Sequence, residues 1–217
     1  MLVKKIAIVA FVLLLGSLPA WCSSIDFEGS GDGGTWSWNG TGALTATTLG
    51  LSVKVVGSPN TYPVAMPNES FTSGPFLGGS GTGLNPWSFG PSSAMSFVIM
   101  GCVPPASSCA PVTLFSGEFS SPGEMDVQGA GSMIFTSFDV TGTVDPALLS
   151  FLGLPTAYDN VTGTYDVTLS GTAPGSGLVA SGDLVVSATT PEPASLALLG
   201  IGLFGLAWVV RRNALKS

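Results

Sequence analysis

Between Ser23 and Thr190, hydrophobic and polar residues alternate in short runs separated by Gly, Pro, Ser and Asn. A period near two puts successive side chains on opposite faces of an extended chain and predicts strands. Thr35–Asn39, Ala43–Thr47, Gly50–Val56 and Val112–Phe119 have this character. In Ser132–Val144 one face carries Ile134, Phe138, Val140 and Val144. In Val161–Ser170 the apolar face is Tyr165, Val167 and Leu169, against Asp166, Thr168 and Ser170. In Leu178–Ala188 it is Leu184, Val186 and Ala188. Ala94–Met100 is a nearly unbroken apolar run and predicts a central strand buried on both faces. Gly57–Pro91 holds so many Gly and Pro residues that it reads as a long irregular insertion with at most one short strand.

Helical periodicity is nearly absent from this stretch. One short helix is predicted over Ala147–Leu152, with Asp145 as cap, Pro146 in the first turn and Gly153 at the stop. Val140-Thr-Gly-Thr-Val-Asp145 recurs as Val161-Thr-Gly-Thr-Tyr-Asp166. Two copies do not make a repeat architecture and read as similar strand entries of one sheet. About eight strands at this spacing predict an all-β domain. The expected fold is an antiparallel β-sandwich, jelly-roll-like, with a single β-barrel as runner-up.

The two ends have a different composition. Lys4 and Lys5 precede the apolar run Ile6–Leu15, and Gly16, Ser17 and Pro19 follow it, which is the make-up of a secretory signal. Ala20 and Cys22 supply small residues for cleavage after Cys22, and Cys22 with Ser24 is a second option. At the other end, Pro191-Glu192-Pro193 precedes the uncharged run Ala194–Val210, and Arg211 and Arg212 close it. As a helix that run would extend about 25 Å, close to the ~30 Å of a bilayer's hydrocarbon core. The two arginines would hold its end in the cytoplasm and leave the body outside. The expected organisation is a signal peptide with its signal helix over 1–24, an extracytoplasmic all-β domain over 25–188, and a tag over 189–217 containing a transmembrane helix at 194–210.

Pro-Glu-Pro, an apolar stretch and an arginine pair, in that order, resemble the PEP-CTERM sorting domain of Gram-negative bacteria that make extracellular polysaccharide. The resemblance covers the last 30 or so residues only. It implies recognition of Pro191, Glu192 and Pro193 by exosortase, a membrane-embedded transpeptidase. The expected route is an inner-membrane single-pass intermediate, then the cell surface or extracellular matrix. The prolines agree with this, because they hold the segment extended and without a complete backbone ladder, in a form a processing enzyme can grip.

Charge narrows the role of the body. Of the six basic residues only Lys54 lies inside it, and of the 13 acids only Glu192 lies outside it. One lysine cannot line a phosphate backbone, so nucleic acid is excluded as a partner. The chain has no His, which excludes Ser-His-Asp and Cys-His catalysis and His-ligated metal sites. Cys102 and Cys109 are expected to pair in an oxidising compartment. Glu118, Glu124 and Asp126 are the acids closest to a glycosidase's carboxylate pair. Asp26, Glu28 and Asp32 offer oxygen ligands for Ca²⁺ but lack EF-hand spacing. Trp36 and Trp38 share a strand face, and Trp87 lies in the Gly/Pro-rich stretch. Exposed, any of the three could stack on a sugar ring. Asn39, Asn68 and Asn160 each begin an N-glycosylation triplet, as chance allows in a Ser/Thr-rich chain.

Together these features predict an exported structural or interaction protein of the envelope or polysaccharide matrix, with no catalytic site, metal or cofactor. Its expected partners are exosortase and the inner membrane, with polysaccharide as a further candidate. The alternatives are a carbohydrate-binding module tethered at the cell surface and, behind it, a carboxylate-dependent glycan hydrolase.

Overall fold

The computed structural model describes residues 23–30, 33–48, 50–82, 84–103, 109–128, 133–155, 160–188 and 202, with 128 and 133–135 described for backbone only. The chain divides into two units, Met1–Cys22 with Thr190–Ser217, and the body, Ser23–Thr189. The signal segment 1–22 and the stretch 194–210, apart from residue 202, lie outside the described residues. Among the described residues no helix is long and apolar enough to cross a membrane.

Among the described residues the body has 14 strands, all antiparallel to their neighbours. In chain order they are β1 (Ser24–Gly29), β2 (Thr35–Trp38), β3 (Thr45–Thr48), β4 (Leu51–Val55), β5 (Thr61–Pro63), β6 (Ala65–Thr72) and β7 (Phe76–Gly78). There follow β8 (Trp87–Phe89), β9 (Phe97–Cys102), β10 (Val112–Phe119), β11 (Gly123–Gln128), β12 (Met133–Val144), β13 (Asn160–Gly171) and β14 (Gly175–Ala188). The one short helix among them, α1 (Pro146–Leu152), joins β12 to β13.

The sandwich expected from the sequence is not the fold. Eight strands close into a ring in the order β14-β2-β3-β6-β9-β10-β12-β13, and β13 joins the two ends by pairing with both β12 and β14. The protein is therefore a closed antiparallel barrel, with β1-β4-β5 and β11-β8-β7 continuing from it as two flaps. The insertion expected over 57–91 is also corrected. It contains four strands, one of which, β6, is a barrel stave. Pro67 fits there because the β6–β9 register shifts between Ala65 and Asn68, and a bulge spares the missing N–H.

Alternation decides what the barrel encloses. Phe71, Phe97, Phe115, Phe119, Phe138 and Tyr165 all point inward and are buried. Their rings meet at close range: 4.3 Å between the centroids of Phe119 and Phe138, and 4.6 Å between those of Phe97 and Tyr165. Glycines opposite them make the room. A Cβ at Gly142 would fall 2.6 Å from Phe115 Cζ, and one at Gly123 would fall 1.9 Å from the Phe138 ring. The repeated Val-Thr-Gly-Thr segments turn out to pair with each other. Val140 lies opposite Gly163, and Val161 opposite Gly142. Each valine is thus set across the ladder from the other copy's glycine.

The helix forms for the reasons its sequence offers. Asp145 Oδ1 accepts from the backbone N–H of Ala147 at 2.8 Å and of Leu148 at 3.2 Å. Gly153 ends it in the left-handed conformation (φ 72°), where L side chains are disfavoured. Leu148 and Leu149 are buried, and Phe151 meets Tyr62 edge-on. Cys102 and Cys109 are joined in a disulfide, with Cα atoms 6.3 Å apart. The first and last strands of the body lie side by side: Ser24 is opposite Ser187, and their hydroxyls are 2.6 Å apart.

The close approach at Gly163 gives a direct test. A Cβ there would fall 1.9 Å from the Val185 carbonyl oxygen, a backbone atom that cannot rotate away. Gly163→Ala is expected to lower unfolding stability by about 2–4 kcal/mol, in the range of overpacked sites. Gly42→Ala, whose Cβ would meet only Asn39 at 3.5 Å, is expected to stay within about 0.5 kcal/mol. Equal denaturant midpoints for the two variants would contradict this account.

Candidate functional site

Three groups of side chains in the body could carry chemistry. The first is an acidic patch across β4, β1, β14 and β13. In register, Lys54 lies opposite Asp26, Glu28 opposite Asp183, and Asp183 opposite Asp166. Lys54 Nζ is 3.0 Å from Asp26 Oδ2 and also bonds Glu28. The hydrogen bonds to Glu28 and then Asp26 push the lysine up to about 12. Asp26 is buried, at 7% exposure, and its Oδ1 has no hydrogen-bond partner among the described residues. Burial first, then Asp26, with lesser contributions from Glu28 and Asp166, pushes Asp183 up to about 6. The Lys54 ammonium bonds both Asp26 and Glu28, two of the three acids that offer oxygen ligands for Ca²⁺, and Asp32 lies outside the described residues. Among the described residues no group of three or more His, Cys, Asp or Glu is placed to hold a metal ion.

The second group is internal. Glu69, on β6, points into the barrel with 2% exposure. Its Oε2 accepts from Thr48 Oγ1 at 2.7 Å. Its Oε1 and the Tyr165 hydroxyl both lie beside Gly182, where a Cβ would fall 3.6 Å from one and 3.0 Å from the other. Burial raises the Glu69 carboxyl, and the Tyr165 and Thr48 hydroxyls offset this only in part. Burial, with Glu69 nearby, raises Tyr165 as well. Burial thus moves this carboxyl toward its neutral form, the form in which a carboxyl donates a hydrogen bond of its own.

The third group is an open groove of about 550 Å³ on the outer face of β14, β2, β3 and β6. Two rows of side chains cross these strands in register. One is Ser176, Ser37, Thr45 and Thr72, and the other is Leu178, Thr35, Thr47 and Ser70. The Ser37 and Thr45 hydroxyls bond each other at 2.9 Å.

The remaining residues singled out in the sequence are dispersed. Trp36 and Trp38 face inward at 2% and 3% exposure and present no ring face to a ligand. Their indole N–H groups donate to the carbonyls of Ser170 and Gly42. Trp87 is half-buried. Its ring centroid is 5.0 Å from that of Trp38, and a Cβ on Gly81 would fall 2.5 Å from its six-membered ring. Glu118 lies opposite Thr141 and Glu124 opposite Ser137, which separates them by about 13 Å along β12. Asp126 Oδ1 is buried without a hydrogen-bond partner among the described residues. Asn39 Oδ1 accepts from the N–H groups of Thr41 and Gly42 and so holds a turn. Pro191, Glu192, Pro193, Arg211 and Arg212 lie outside the described residues. Glu69 escaped notice because it sits in the stretch read as an insertion. The hydroxyl rows escaped because they exist only across strands.

Residues 189–212 match the family model of the PEP-CTERM protein-sorting motif. The motif marks the chain as exported and sorted by exosortase, a membrane enzyme, by way of a membrane-anchored intermediate. No curated protein and no solved structure matches the chain.

Two carboxyls with raised values contribute to the pH response of the body. Both are raised in the folded state, so each contributes stability that is complete below its unfolded pKa, near 4, and is lost as pH rises through its folded value. For Asp183 that window closes at about 6. Asp183→Asn is expected to melt with wild type at pH 4 and a few °C above it at pH 8, or about 1 kcal/mol after allowance for solvent screening. Glu69→Gln keeps an acceptor for Thr48 and is expected to gain likewise as pH rises. Parallel melting curves for variant and wild type between pH 4 and 9 would refute either assignment.

Proposed function

We propose that this protein is a non-enzymatic structural or interaction protein of the cell envelope or extracellular polysaccharide matrix, delivered there by exosortase processing of its tail. The sorting motif at 189–212 carries this reading, because it begins one residue after β14 ends at Ala188. The body fits the role: its buried aromatic residues form a packed interior, and its outer face bears hydroxyls and acids. A second reading, a carbohydrate-binding module held at the cell surface, draws support from the uncharged groove rather than from the tryptophans.

The test is made in the native host. Replacing Pro191, Glu192 and Pro193 together by Ala should hold the protein in the inner-membrane fraction at its unprocessed mass. Wild type should be trimmed and recovered from the surface or matrix. Identical intact masses and identical fractionation of the two would defeat the proposal.

A further inference from the structure

We propose that the groove across β14, β2, β3 and β6 binds a stretch of neutral, hydroxyl-bearing polysaccharide. This gives a ligand class to the body of a matrix protein and so rests on the function proposed above.

The lining decides the class of occupant. Seven of the twelve groove-lining residues carry a hydroxyl, and none carries a charge. This is notable in a body with a single lysine among its many acids, since those acids all lie elsewhere. A cationic partner has nothing here to pair with, and an anionic one finds no base. A neutral polyol needs neither. Each hydroxyl is one donor and two acceptors, so a row of them can both give and receive along a chain of sugar hydroxyls. The Ser37–Thr45 and Thr35–Thr47 pairs bond one another at 2.9 and 3.5 Å and leave lone pairs free. The hydroxyls of Ser70, Thr72 and Ser176 make no side-chain hydrogen bond among the described residues.

Spacing adds an argument. Neighbouring strands lie about 4.8 Å apart, so four strands set a track about 14 Å long, with the second row about 6.7 Å beside it. That is a repeating two-row frame, suited to an extended chain with hydroxyls on both edges. Leu178, 58% exposed, and the threonine methyls give the apolar C–H faces of sugar rings something to rest on. Trp36 lies under the track with its ring turned inward, so recognition runs through hydroxyls and not through stacking.

The test uses the full chain, purified in a zwitterionic detergent that carries no sugar. Its mobility is compared in native gels containing dextran, galactomannan or alginate. The variant Thr35→Val/Thr45→Val/Thr47→Val keeps shape and strand preference while removing three hydroxyls. Leu178→Asp, at an exposed rim position, is a second variant should the first fail to fold, as judged by circular dichroism. Retardation by dextran or galactomannan, weakened at least fivefold in a folded variant, is the result expected. Retardation by neither neutral polymer, equal retardation of variant and wild type, or retardation by alginate alone would overturn the proposal. Tail processing is read separately, as mass and location in host cells, so failure here leaves that measurement untouched.

Discussion

The body depends on β13 having a partner on each edge. Its register runs through Met133–Thr143 of β12 on one side and through Gly177–Ala188 of β14 on the other. Those two strands can then divide their far edges, β12 between β10 and β11, and β14 between β1 and β2. The split lets one ribbon close on itself and also send out two flaps. A ring has no raw edge along its staves, because each stave has a neighbour on both sides. With the ladder closed, the alternation of each strand has only one inside to point to, and the ring of phenylalanines follows.

The same constraint explains the glycines. A small closed barrel gives bulky side chains little space, and opposing positions must share it. Phe115 fits because Gly117 and Gly142 face it, and Phe138 because Gly123 does. The paired Val-Thr-Gly-Thr segments set a valine opposite a glycine twice, about a local two-fold. What the sequence presents as two strand entries is one pair of facing segments in a single ladder.

The long strands could be read from their alternation, because Tyr165, Val167 and Leu169 or Leu184 and Val186 leave no doubt about period or face. The helix could be read from Asp145, Pro146 and Gly153, which act locally. Closure could not be read, since an inward-outward pattern is the same whether two sheets face each other or one sheet meets itself. β6 was hidden for a chemical reason: Pro67 sits at a bulge and Glu69 takes an inward position where an apolar residue is expected. A buried carboxyl therefore disguised both the strand and itself. The groove was hidden differently. Each of its strands shows only an ordinary polar face, and the two rows appear once four strands are in register. The sorting tag lay in contiguous residues and needed no fold to be recognised.

The pairing of Ser24 with Ser187 has a mechanical consequence. Both flanks of the body leave from the same end of one antiparallel ladder, so tension between them would open β1 from β14 one residue pair at a time. That is the compliant direction of a sheet, unlike shear, in which all the bonds of a ladder resist together. If only one flank is anchored, no pull develops across this seam and the weak direction is never tested. Removal of the amino-terminal segment would thus leave the body hanging from β14 alone, with the seam at rest.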